Sequence, residues 1–174
     1  MGTANRGALV QPPRQLDDVG LFEQNGYEFK YADMEPKWTM LVPASGRACD
    51  QACEHRLYTT RQIHIAMGKE FNRLRRVYLS ESAVADTGWT APRLSDDRPL
   101  PQSFGAYLEA EHQGLKALVL EQGASAELLT EYLSQPDTWY LVDPAGWIMM
   151  SYNDQVPYKD VISDLKFLLK NSSE

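Results

Sequence analysis

The sequence holds two cysteines, in the pattern Cys49-Asp50-Gln51-Ala52-Cys53. The apolar run Trp38-Thr39-Met40-Leu41-Val42 and the loop Ser45-Gly46-Arg47-Ala48 precede them, and a helical pattern follows. At such a junction the free N–H groups and dipole of the helix N-terminus stabilise a thiolate. A thiolate attacks disulfides and is also a soft ligand for copper or zinc. Just ahead of the first turn, the Cys49 sulfur can swing toward Cys53 and close a disulfide, which two cysteines deep inside a helix do less well. The competing reading is a pair of inert core cysteines, because cysteine is often buried as a small hydrophobe. The strand–loop–helix context favours chemistry. Cys49 is then expected to be the more exposed, attacking sulfur, with Cys53 facing inward beside Leu57 as the resolving one. Asp50 and Glu54 read as solvated first-turn carboxylates that oppose thiolate formation, and Arg47 as a cation that favours it.

The three histidines do not complete a metal site with the pair. His55 lies about 200° around the helix from Cys53, and His64 about 16 Å along it, whereas metal–ligand bonds are about 2 Å. His64 reads as a hydrogen-bonded core or boundary residue. His112 reads as solvent-exposed on a short charged helix. Pro136, just ahead of a late strand, is a candidate cis-proline that would turn backbone toward the sulfurs. Arg73, Arg75 and Arg76 read as a solvated edge. Trp89 is either an exposed partner contact or packed back onto the domain.

Around these residues the hydrophobic pattern sets out the elements. Leu21-Phe22 and Tyr27-Glu28-Phe29 flank Asn25-Gly26 as a hairpin, and Trp38 to Val42 is a buried strand ended by Pro43. A helix is expected over 50–69, its inner face formed by Cys53, Leu57, Thr60, His64, Met67 and Phe71. A strand follows at Arg75-Arg76-Val77-Tyr78-Leu79, then a long exposed loop at 82–102, rich in Gly, Pro, Ser, Asp and Thr. A short helix over 104–111, a strand at 115–120 and a helix over 125–133 capped by Ser125 come next. Strands at 139–142 and 147–151 flank the turn Asp143-Pro144-Ala145-Gly146. An amphipathic helix over 158–169, with Val161, Leu165, Leu168 and Leu169 as its stripe, closes the chain. The alternation implies an α/β fold: a central mixed sheet with helices on both faces and an N-terminal β-hairpin.

The 174 residues suit one domain, and the ordinary apolar and charged fractions exclude a largely disordered chain. The net charge of −7 carries no basic footprint for nucleic acid. No apolar run approaches the roughly 18 residues of a membrane span.

From Val19 to Leu169 the chain resembles the Sco/SenC branch of the thioredoxin superfamily. Cys49 and Cys53 after the strand from Trp38 carry most of the resemblance, and Tyr140-Leu141-Val142-Asp143-Pro144-Ala145-Gly146 supports it. The resemblance implies a thioredoxin-like fold, a protein tethered to the periplasmic side of the bacterial inner membrane, and work in assembling the copper site of cytochrome c oxidase. It places residues 1–14 as an extended lead-in after a removed membrane anchor, 15–170 as the thioredoxin-like domain and 171–174 as a frayed tail. Its site residues are Cys49, Cys53 and Pro136, and its partners are protein thiols or disulfides of the assembly route. Two departures bear on copper. Glu54 stands where relatives have proline, and residues 134–137, near the expected ligand at Gln135, hold no histidine. The implied activity is therefore thiol-disulfide exchange with no required cofactor. The alternatives are a Cu(I) carrier using Cys49 and Cys53 alone, or an assembly scaffold whose disulfide is structural.

Overall fold

The computed structural model describes residues 6–172. Fifteen elements follow in chain order: β1 (Ala8–Gln15), β2 (Leu21–Phe22), β3 (Glu28–Phe29), β4 (Trp38–Ala44), β5 (Ala48–Cys49), α1 (Gln51–Ala66), β6 (Leu74–Ser80), β7 (Gly88–Trp89), α2 (Phe104–Glu111), β8 (Lys116–Leu120), α3 (Ser125–Leu128), α4 (Thr130–Ser134), β9 (Trp139–Val142), β10 (Trp147–Tyr152) and α5 (Tyr158–Lys170). Eight strands form one sheet in the order β1-β10-β9-β4-β6-β8-β2-β3. β4, β6 and β8 run parallel, and the remaining neighbours pair antiparallel. The sheet is therefore mixed.

All seven residues of β4 are buried, as a central strand covered on both faces requires. Successive side chains leave it on opposite faces. Trp38 and Met40 pack with Ile63 and Met67 of the α1 region and with Val161, Leu165 and Leu169 of α5. Leu41 packs with Val77, Leu79, Tyr140 and Val142, under Leu128, Leu129 and Tyr132 of the α3–α4 segment. At the C-terminal end of β4 a third cluster gathers Val42, Ala44, Cys49, Cys53, Leu57, Tyr78, Leu94, Phe104 and Tyr107. Among the described residues no helix is long and apolar enough to cross a membrane.

The pattern misplaced some details. α1 stops at Ala66 because Gly68, at φ 59°, turns the chain into a short 3-10 helix over Gly68–Arg73. Ile63, not His64, takes the inner face, and exposed Phe71 stacks on the His64 ring with centroids 3.8 Å apart. Ser125 is not a cap. It sits in the first turn, and the Glu81 carboxylate accepts the Ser125 and Gly123 amides at 3.2 and 3.0 Å. A break at Leu129 divides the expected single helix into α3 and α4.

Within the expected lead-in, the chain from Ala8 runs as edge strand β1 along β10, its register broken between Leu9 and Arg14 around Pro12-Pro13. The last residues of the expected frayed tail, 173–174, lie outside the described residues.

Candidate functional site

β4 delivers the chain to a turn at 45–47, where Gly46 takes φ 81°. Two residues of β5 follow, and then Asp50 caps α1 by accepting the Cys53 amide on Oδ1 at 3.0 Å. This puts Cys49 one residue ahead of the cap and Cys53 in the first turn. The two sulfurs are joined, with S–S 2.07 Å and Cα–Cα 5.1 Å, inside the span a disulfide tolerates.

The pair is covered, contrary to the exposure expected for Cys49. Cys49 is 1% exposed and Cys53 4%. Part of the cover is the segment 82–102, exposed along much of its length as its composition suggests but folded inward at Trp89, Ala91 and Leu94. Its strand β7 runs parallel to β5, pairing Gly88 with Ala48 and Trp89 with Cys49. The Thr90 amide donates to the Cys49 carbonyl at 3.0 Å, and the Gly88 amide to the Arg47 carbonyl at 2.5 Å. The Trp89 ring stacks on Tyr107 with centroids 4.5 Å apart, while its indole N–H donates to the Pro101 carbonyl at 2.8 Å. Trp89 is thus packed back onto the domain. Ala91 and Leu94, spaced three apart, are buried and were the one sequence hint that this loop folds inward.

Glu54 is no solvated carboxylate. It is 1% exposed and accepts the Ser95 amide at 2.8 Å, the Ser95 hydroxyl at 2.6 Å and the Gln51 side-chain amide at 2.9 Å. A buried charge needs such partners, because an unpaired one is costly. Sequence reasoning missed this contact, since Ser95 comes from 41 residues away. Arg47 is exposed.

Arg56, one turn beyond Cys53, is buried. It donates to the Pro43 carbonyl at 3.0 Å and to the Pro136 carbonyl, and lies over the Tyr132 ring at 5.3 Å. Burial lowers its pKa. Pro136 is therefore tied to α1 through its carbonyl. It is not cis: among the described residues the cis peptide bond is Gln11–Pro12.

Each histidine is engaged elsewhere. The His55 Nδ1 lies 3.4 Å from the Ser95 hydroxyl. The His64 Nε2–H donates to the Phe71 carbonyl at 2.8 Å. His112, expected in solvent, is 3% exposed. Its Nδ1 accepts from Arg76 at 2.9 Å, so Nε2 carries the proton and donates to the Tyr107 hydroxyl at 2.7 Å. Burial, with Arg76 and Arg61 nearby, pushes its pKa down to about 2. Arg76 also departs from the solvated-edge reading. It is buried and donates to the Leu57 carbonyl and the Thr60 hydroxyl. Among the described residues no group of three or more His, Cys, Asp or Glu is placed to hold a metal ion.

The arrangement offers a disulfide at a strand–helix junction, and a reduced pair there presents two sulfur donors to a soft metal. The sequence of residues 38–172 matches the family described as "Transmembrane-like, thioredoxin-like, C-terminal domain". A search of curated proteins gives no match. Several solved structures share the fold. Yeast Sco1 is 14% identical with TM-score 0.62, the alignment covering 98% of this chain and 99% of that one. Bradyrhizobium japonicum ScoI, solved with copper bound, is 19% identical with TM-score 0.52, covering 92% and 98%. BsSco, described as having a disulfide switch and as a member of the Sco family of cytochrome c oxidase assembly proteins, is 15% identical with TM-score 0.55, covering 97% of each chain. The thioredoxin-like fold implied by the sequence resemblance is the one observed.

Proposed function

This chain belongs to the family of transmembrane-like, thioredoxin-like C-terminal domains, and from that premise we propose that it exchanges thiols and disulfides through Cys49 and Cys53 in the assembly of the cytochrome c oxidase copper site. The observation that carries this reading is the disulfide between those residues at the junction of β5 and α1. The oxidase setting is drawn from the Sco relatives of the same fold. The setting proposed is the periplasmic side of the bacterial inner membrane, where disulfides persist.

In the reduced protein the Cys49 thiolate attacks one sulfur of a partner disulfide. That S–S bond breaks, a mixed disulfide forms, and the partner's other sulfur leaves as a thiolate. Cys53 then attacks the Cys49 sulfur and expels the second partner thiolate. The partner gains two electrons, and the pair returns to its disulfide. Pro136, whose carbonyl holds Arg56, serves as a positioning residue beside the helix.

A second reading is favoured by the copper held in relatives of the same fold: Cu(I) as cargo on the two reduced thiolates. Two sulfurs fit a low-coordinate Cu(I) ion, while the histidines above have other partners.

Mass spectrometry after incubation of the reduced protein with an oxidised dithiol substrate tests exchange. Cys53→Ser should accumulate the mixed disulfide. A parent protein that never exchanges sinks the reading and leaves a structural disulfide in a scaffold. Copper stoichiometry under reducing conditions tests the second reading, which fails if Cu(I) binding survives replacement of both cysteines.

A further inference from the structure

The Cys49–Cys53 disulfide is almost wholly buried, and residues 82–102 supply part of its cover beside Val42, Tyr78, Phe104 and Tyr107. Residues 82–102 lie across the pair in a chain of discrete contacts. Thr90 is bonded to Cys49 itself, Ser95 clasps Glu54 with amide and hydroxyl, and Trp89 rests on Tyr107. Beyond Ser95, Asp96 pairs with Arg61 of α1 at 3.5 Å, and the same guanidinium reaches the Glu111 carboxylate of α2 at 3.3 Å. Arg98 meets Asp96 and Glu111 at 3.6 and 3.7 Å. Four apolar side chains, Val84, Trp89, Ala91 and Leu94, are packed inward beside these polar and charge-paired contacts, and β5 and β7 are two residues each. Elements with few buried apolar contacts open locally at a fraction of the global unfolding free energy.

We propose that residues 82–102 form a lid over the Cys49–Cys53 disulfide, latched by Ser95 on Glu54, that must lift before exchange and that bars small thiols in favour of a protein partner. The exclusion follows from linkage. A ligand shifts an equilibrium only by its differential affinity for the two states. A small thiol touches one sulfur and gains nothing from the displaced segment. A protein surface can bind the lifted segment and the uncovered α1 N-terminus together, and so offset the lost latch. The purpose assigned to the lid rests on the exchange reading, whereas the burial it creates does not.

The test uses the oxidised chain with two named reductants, glutathione and dithiothreitol, and follows free thiols by maleimide gel shift. In each case the thiolate attacks one sulfur, the S–S bond breaks, and a second thiol completes the two-electron reduction. The native parent should be reduced far more slowly than the same chain unfolded in guanidinium. Ser95→Ala, which removes the charge-assisted 2.6 Å bond, should raise the native rate by about tenfold to a hundredfold. Ser95→Thr, which keeps a hydroxyl, should stay near the parent. The Thr90 and Ser95 amides should exchange hydrogen well ahead of those of Met40 and Leu41 in β4. Native reduction as fast as in guanidinium overturns the lid, as does a Ser95→Ala rate equal to the parent's. So does a reduction rate that simply follows global unfolding measured by circular dichroism. If Ser95→Ala accelerates reduction by glutathione while no protein disulfide is ever exchanged, the lid stands and the exchange reading falls.

Discussion

α5 and the segment 82–102 both cover the sheet's working parts, but they are held in different ways. α5 buries Val161, Leu165 and Leu169 against Trp38, Met40, Leu141 and Met150. One polar residue adds to that apolar stripe: Asp164 accepts the Arg6 and Gly7 amides and the Tyr152 hydroxyl. The segment over the cysteines buries fewer apolar side chains, chiefly Val84, Trp89, Ala91 and Leu94, and adds hydrogen bonds, ion pairs and two-residue strand pairing. Apolar burial summed over a helix face resists removal as a unit, while polar contacts exchange for water at a small net cost each. The α5 side is therefore part of the cooperative body, and the cysteine cover is the place where the molecule opens.

The largest expected effect breaks the comparison by removing what the cover protects. Cys49→Ser should abolish exchange with an oxidised substrate, and Cys53→Ser should trap the adduct, read by intact mass. Equal trapping by both variants reverses the assigned roles. Next, Leu165→Ala, at a site with no exposure, should cost about 2–5 kcal/mol in urea unfolding. Ser95→Ala should move the same midpoint less, by about the 1.5–3 kcal/mol of one hydrogen bond to a charged group. A Ser95→Ala loss larger than that of Leu165→Ala would make the cover part of the body.

A smaller effect is carried by pH. His112 is neutral in the fold, with a pKa near 2 against 6.5 ordinarily. Below pH 6.5 the unfolded chain takes up a proton that the fold refuses, so stability is complete above 6.5 and drains away as pH falls toward 2. The loss is about 1.4 kcal/mol per pH unit, or about 2 kcal/mol from pH 6.5 to 5. His64, also lowered by burial, acts in the same direction. Denaturant titrations across this range should show a shallower slope in His112→Gln, and an unchanged slope removes His112 from the account.

Smallest is the ion pair that ties β1 to α4, in which Glu131 is held near a pKa of about 2, chiefly by its hydrogen bond to Arg14. Its contribution is present above the ordinary carboxylate pKa and is lost as pH falls toward about 2. With both side chains partly in water, Arg14→Ala should cost no more than about 1 kcal/mol near neutral pH. NMR titration should then find the Glu131 carboxyl back toward its usual range.

How much of this was legible in the sequence follows the same division. The strand from Trp38, the stripe of α5 and the helix start near Asp50 were readable, because each is written in consecutive or periodic apolar residues. The α1 face slipped between Ile63 and His64, because apolar spacing alone did not settle which neighbour faces in. The cover was not readable. Parallel pairing of two residues has no period, and polar composition hid Ala91 and Leu94. Glu54, Arg76 and His112 were placed in solvent because one partner of each, Ser95 for the first and each other for the last two, comes from 36 or more residues away. Burial of a charge is a property of its partners.

The prolines of β1 bear on how this chain keeps company with itself. An open sheet invites another copy to add a strand wherever a row of N–H and C=O groups stands free. Here one margin of the sheet is β1, where Pro12 and Pro13 carry no N–H and interrupt the register. The opposite margin is β3, two residues long. Neither rim offers a template of useful length, so at high concentration the protein is guarded against growing into sheet-linked aggregates.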